Sequence, residues 1–230
     1  MTEQRTYPPF HIDADADALT AIGVGIASIV PMLNRYQPDH AGPRAELVWI
    51  KDSAGTAWAI TANQRDLEFK FEVFSLSIEN EAALKTRIET GNPLPLPDDA
   101  PDWLRTIAAV PRMAPVPPAD LQPPPFQICR TDVLRRAEFI MSDVHIEEAL
   151  GENPNLQTAA VPENVPSNAD ACCIVSVALL FTGLEGQRLL VGVDWFPLNL
   201  IMTAHPDAID DYTADCEMIE ICEYAEMLHK

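Results

Sequence analysis

Eleven of the chain's 21 prolines lie between Pro93 and Pro125. Proline has no backbone N–H and a fixed φ, so a run this dense excludes central strands and uninterrupted helices. It divides the 230 residues into two stretches, each long enough to form a small core. The same coarse order of elements is readable on both sides: a helix-like run, three strand-like runs, then a helix. The expectation is therefore an α+β fold. It would have two antiparallel-sheet lobes, each helix–three strands–helix, joined by a proline-rich connector. The boundaries fall at 1–91 for the N-terminal lobe, 92–125 for the connector and 126–230 for the C-terminal lobe, with room for the lobes to pack as one domain. The repeated order fits an internal duplication, although the residues of the halves do not align. Within the connector, Pro101–Val110 reads as one short helix with Trp103, Leu104 and Ile107 as its apolar stripe. The rest reads as a strap held over the lobes.

In the first half, Ile22, Ile26, Ile29 and Val30 recur at helical spacing, which predicts a buried helix over 17–30 stopped by Pro31. Gly23, Gly25 and the β-branched residues oppose that reading, and a strand through Ile22, Val24 and Ile26 is the alternative. Strands follow at Glu46–Lys51, Thr56–Ala62 and Leu67–Ile78. In the third, the alternation changes phase near Val73–Phe74, which predicts a bulge. Glu79–Thr90 reads as a helix ended by Gly91. In the second half, a helix is expected from Asp132 to about Met141, continuing toward Leu150, and a loop over Glu152–Ala171. Cys172–Thr182 is apolar on both parities, the pattern of a strand covered on both faces. Gln187–Trp195 and Leu198–Ala204 would complete the sheet. Between Ala214 and Leu228, the residues Met218, Ile221, Cys222, Ala225 and Leu228 form one helical stripe, with Glu217, Glu220, Glu223 and Glu226 on the opposite arc.

The formal net charge is -20, and it is unevenly placed: from Ala137 onward 17 Asp and Glu face only Arg188 and Lys230. Such a surface repels nucleic-acid phosphates and anionic lipid heads, and it favours a basic protein or peptide segment, cations, or solubility alone. Direct nucleic-acid binding and membrane binding are thus not expected. The apolar run at 18–33 is too short to span a bilayer and follows three aspartates, the wrong sign for a signal peptide. The five cysteines lack CxxC spacing, and adjacent Cys172 and Cys173 would point to opposite faces of a strand. Five free thiols and a reducing, cytoplasmic setting are expected.

Motifs for chemistry are sparse. Asp13-x-Asp15-x-Asp17 begins like a calcium loop, but the sixth and twelfth positions hold Ala18 and Val24 where glycine and glutamate are needed. His205, Asp207 and Asp211 could gather as a metal or acid–base group, though Asp and Pro there equally start a helix. His145 with Glu147 and Glu148 is poorer, because near neighbours on a helix do not face each other. There is no GxSxG and no phosphate-binding loop. Neither a cofactor nor a bound metal is expected. Trp195 and Phe196, beside Pro197, are the apolar side chains best placed to anchor an interface.

The order helix, three strands, helix resembles that of small acidic secretion-chaperone-like domains. The resemblance is one of element order and implies a protein-binding role. The chain accordingly reads as a non-enzymatic acidic module, an adaptor, chaperone-like protein or inhibitor. It would dock a basic partner segment through Glu217, Glu220, Glu223 and Glu226 with Trp195 and Phe196, and self-association into a homodimer is compatible. The alternatives are a metal-dependent enzyme centred on His205, Asp207 and Asp211, and an inhibitor that mimics nucleic acid.

Overall fold

A computed structural model describes residues 5–33, 44–67, 71–90, 116–117, 124–141, 157–158, 169–194 and 199–228. The first half runs β1 (Arg5–Thr6), β2 (Asp13–Ala14), α1 (Ala16–Val24), β3 (Ile26–Leu33), β4 (Arg44–Asp52), β5 (Ala57–Leu67), β6 (Phe71–Asn80) and α2 (Glu81–Thr90). The second runs β7 (Ile128–Met141), β8 (Gln157–Thr158), β9 (Ala169–Gly183), β10 (Arg188–Val193), β11 (Leu200–Thr203), α3 (Pro206–Thr213), β12 (Cys216–Glu220) and α4 (Ile221–Leu228).

These strands do not form two lobes. They belong to a single 12-stranded mixed sheet with the main order β12-β7-β9-β10-β11-β4-β5-β6-β2. The expected two-lobe architecture is therefore wrong, and two features overturn it. Strand β11 of the second half pairs with β4 of the first, Leu200 opposite Ala45 and Ile201 opposite Arg44. One continuous apolar cluster also draws on both halves, joining Ile50, Ile60, Leu76 and Ile78 to Val175, Leu179, Leu190 and Leu200. The sheet curls so that β6 comes close to β9 and β10 without pairing to them. Burying these side chains stabilises by roughly 1.5–3 kcal/mol each, so separating the halves would expose too much apolar surface to be tolerated.

What the halves share is a four-strand meander, β3-β4-β5-β6 and β7-β9-β10-β11, each followed by a helix. Their central hairpins turn identically. Asp52 N–H bonds Thr56 O at 3.0 Å and Gly55 N–H bonds Asp52 O at 3.1 Å, while Gly183 N–H bonds Gln187 O at 2.8 Å and Gly186 N–H bonds Gly183 O at 3.0 Å. Gly55 (φ 92°) and Gly186 (φ 81°) occupy the left-handed position that closes such a turn.

Four local expectations are corrected. The first helix stops at Val24, because Gly25 takes φ 143°, and the β-branched run after it becomes β3 rather than more helix. Its Gly23 serves packing: a Cβ there would lie 3.0 Å from Cys222 Sγ, so its absence lets α1 approach α4. Strand β6 has no bulge, since its register with β5 is unbroken from Leu67–Phe71 to Trp58–Asn80. Val73, Ser75, Leu76, Ser77 and Ile78 are all buried, so the phase change reflects a strand covered on both faces. The stretch expected as a helix from Asp132 lies in β7, held on one side by β9 and on the other by β12. Finally, Ala214–Leu228 is not one helix but β12 followed by α4, with α3 before them. The proline-rich connector falls almost wholly outside the described residues, as do Trp103, Leu104, Ile107, His145, Trp195 and Phe196.

Candidate interaction surface at the C-terminus

The C-terminal elements clamp the second meander from both sides. Residues directly opposite across paired strands share a face. On β7 one face carries Arg130, Asp132, Leu134, Arg136 and Glu138, and the other carries Thr131, Val133 and Arg135. The ion pairs Arg130–Asp132 (2.6 Å) and Arg136–Glu138 (2.8 Å) join positions two apart, which meet on a strand and not on a helix.

Helix α3 covers the Arg136 face. Pro206 opens it, His205 precedes it with its N–H on Thr203 Oγ1 at 3.1 Å, and Ile209 is buried. Tyr212 then reaches the point where β10 parts from β9. A register shift between Leu134 and Arg135 leaves Val177 of β9 without a partner on β7, and β9–β10 pairing ends at Ala178–Gly192. The Tyr212 hydroxyl fills this fork, donating toward Val193 O (2.9 Å) and Val177 O (3.2 Å). Gly192 makes the room: a Cβ there would lie 2.6 Å from that hydroxyl. Burial pushes the phenol's pKa well up, even with the Arg136 guanidinium 5.7 Å over its ring.

Helix α4 is fixed on the opposite face by Ile221 and Tyr224, both buried. Tyr224 Oη accepts the Ile12 backbone N–H at 2.8 Å, lies 2.8 Å from Ser176 Oγ and 3.4 Å from His11 Nδ1. Burial raises the Tyr224 pKa, opposed by the bonds from Ser176 and Ile12. Beside it, Arg135 pairs with Glu217 at 3.5 Å and directs a guanidinium N–H at Met227 Sδ at 3.7 Å. Ser176, His11 and Tyr224 thus meet, but Ser176 is 1% exposed and cannot reach a substrate. The cluster is a latch rather than a nucleophile.

The outward side of this clamp is strongly acidic. Asp207, Asp210, Asp211, Asp215, Glu217, Glu220, Glu223 and Glu226 are all exposed, and no Lys or Arg lies between Ala204 and His229. Two of the four glutamates singled out from sequence stand on β12 (Glu217, Glu220) and two on α4 (Glu223, Glu226), so they do not share one helical arc. Glu217 pairs with Arg135, Asp210 with Arg188 at 2.8 Å, and Glu220 and Glu223 lie in the field of Arg130. Met218, 57% exposed, stands among them. His205, Asp207 and Asp211 all lie at or on α3, yet no group of three or more metal-capable side chains forms among the described residues. None of the five cysteines forms a disulfide: Cys172 and Cys173 are buried, Cys216 is half-buried, and Cys129 and Cys222 are exposed. Burial pushes the Cys173 thiol up to about 12. Among the described residues no helix is long and apolar enough to cross a membrane.

Comparison with protein-family models, with characterised proteins and with solved structures finds no match. The functional reading therefore comes from this chain's own residues.

Proposed function

We propose that this chain is an acidic protein-binding module, adaptor, chaperone-like or inhibitory in kind, that docks a basic partner segment on α3, β12 and α4. The observation that supports it is the run of eight exposed carboxylates from Asp207 to Glu226 around exposed Met218, with no cation among them in sequence. Charge of one sign steers an oppositely charged partner, and an apolar side chain inside it gives the contact that steering alone lacks. The partner would carry Lys and Arg around an apolar residue that meets Met218.

The test is capture from an extract of the source cells, with wild-type protein and with Glu223→Gln/Glu226→Gln, at low and moderate salt. Neither side chain is buried, so the fold is retained. The expected result is a set of basic proteins that weakens with salt and with the substitutions. The same partners at both salts and with both baits would reduce the charge to a solubility role. Captured proteins that are released by added DNA or RNA would move the reading to nucleic-acid mimicry.

A further inference from the structure

The N-terminal segment is an added strand that stitches the two meanders together. Along β9, β7 covers one edge throughout, and β10 covers the other only from Ala178 to Thr182. The rest of that second edge is taken by the segment, which runs parallel to β9. Arg5 and Thr6 lie opposite Ala171 and Cys172, and Phe10 opposite Val175. Its backbone bonds are Tyr7 N–H to Cys172 O (2.9 Å), Phe10 N–H to Ile174 O (2.8 Å) and Ser176 N–H to Phe10 O (2.9 Å). Three residues after Phe10, the same segment has left β9 and joined β6, Asp13 opposite Ser77 and Ala14 opposite Ile78. Tyr7 and Ile12 are buried in the common core, and Ile12 N–H is received by Tyr224. The segment therefore has what an inserted peptide ligand has: main-chain bonds to an open edge, and apolar side chains filling the cleft.

Its covalent tie to the body is slight. A single residue, Asp15, separates β2 from α1, and as the residue before the helix it makes no side-chain capping bond. A strand held by non-covalent contacts and joined to the body through a one-residue hinge finds the same contacts in another copy. We propose that the cleft between β9 and β6 is a strand-acceptor site, and that residues 5–14 of a second copy occupy it in a strand-swapped dimer. The inference does not depend on the acidic surface. In the monomer the cis segment competes at an effective concentration of roughly millimolar, so exchange grows with protein concentration. Each copy carries a formal charge of -20, so added salt favours the dimer.

The probe is a synthetic peptide of residues 1–14 carrying a fluorophore at its N-terminus, added to the full-length chain. Ile12→Ala in the chain weakens the cis segment and leaves the acceptor intact. The expected result is peptide uptake by the Ile12→Ala chain at least about tenfold tighter than by wild type. A peptide that itself carries Ile12→Ala should bind more weakly to the same chain. Hydrogen exchange at residues 5–14 reports release of the cis segment. Released residues 5–14 with no peptide uptake would overturn the proposal, and so would unchanged protection in the variant. Should Ile12→Ala not fold, wild type decides the matter. Light scattering at raised concentration and salt should show a dimer that excess peptide converts to monomer. A dimer untouched by peptide, or no dimer at all, refutes exchange.

Discussion

Removing one oxygen atom tests whether the termini are latched as described. Tyr224→Phe keeps the ring that α4 buries and deletes the hydroxyl that joins Ile12, Ser176 and His11. The Ile12 N–H, bonded at 2.8 Å in a buried site, is then left without an acceptor, which costs about 1–3 kcal/mol. The Ser176 hydroxyl can rotate, so its loss is the smaller, about 0.5–1.5 kcal/mol. Together they destabilise by about 1.5–4.5 kcal/mol, a large share of the 5–15 kcal/mol typical of a folded protein. For a chain of this length that lowers Tm by about 3–18 °C. Urea and thermal unfolding measure the total, and a cycle with Ser176→Ala separates the shared bond. If the hydroxyls bond each other, the two changes should be non-additive by at least about 0.5 kcal/mol. Hydrogen exchange supplies a local readout: the Ile12 amide should lose protection while central amides of β7 and β9 keep theirs. A total loss under about 0.5 kcal/mol, or full protection at Ile12, would refute the latch.

Gly192→Ala should cost about 1–3 kcal/mol from overpacking against Tyr212 and Ala178, and Tyr212→Phe should relieve part of it; strict additivity in unfolding measurements would contradict the contact. Asp52 is buried; burial opposes its charge, but bonds from Trp58 Nε1 (3.0 Å) and Thr56 N–H (2.8 Å) outweigh that and hold its pKa below the usual value. Its stabilisation is thus present above the unfolded value of about 3.9 and lost as pH falls through the lower folded value, so the gap between wild type and Asp52→Asn should close in acid unfolding and not near neutrality. The raised pKa values of Tyr212 and Tyr224 act at the other end: the stability they add holds below the unfolded value near ~10 and falls as pH rises past it, a loss Tyr212→Phe/Tyr224→Phe should remove. Thiol reagent on native protein should modify Cys129 and Cys222 first and leave Cys172 and Cys173 until unfolding.

Much of the local structure was written in the chain, because it depends on neighbours in sequence. The two matched hairpins come from glycines at the left-handed position, and α2 from a polar helical run that follows β6 directly. The misreadings share one cause. Val133 and Leu134 carry no periodicity that separates helix from strand, and β7 takes its conformation from β9 and β12 on its flanks. Pairing with β7 likewise imposed a strand on Cys216–Glu220, whose spacing to Ile221 and Ala225 suits a helix. A usable signal was nonetheless present: Arg130-x-Asp132 and Arg136-x-Glu138 place opposite charges two apart, the spacing of one strand face. Two such pairs in nine residues weigh against a helix.

The latch was not legible at all, and the reason bears on what the protein can do. Its members are separated by 212 residues between Ile12 and Tyr224 and by 48 between Ser176 and Tyr224. No spacing rule spans such distances, since only the curl of the sheet brings β9, the N-terminal segment and α4 together. The acidic surface was legible because charge needs no fold to be counted, yet its arrangement was not: Arg135 and Arg130 come beside Glu217, Glu220 and Glu223 once β7 and β12 pair. These cations offset the carboxylates of β12 and the start of α4, and leave Glu226, Asp207, Asp211 and Asp215 exposed with no ion pair among the described residues. On the proposed reading, a basic partner would be steered mainly by the carboxylates of α3 and the end of α4 before it meets Met218 on β12. Gln at Glu226 and Asp211 should then weaken capture more than Gln at Glu217 and Glu220. The reverse order, measured in the same pull-down, would show that Glu217 and Glu220 carry the steering despite the arginines beside them.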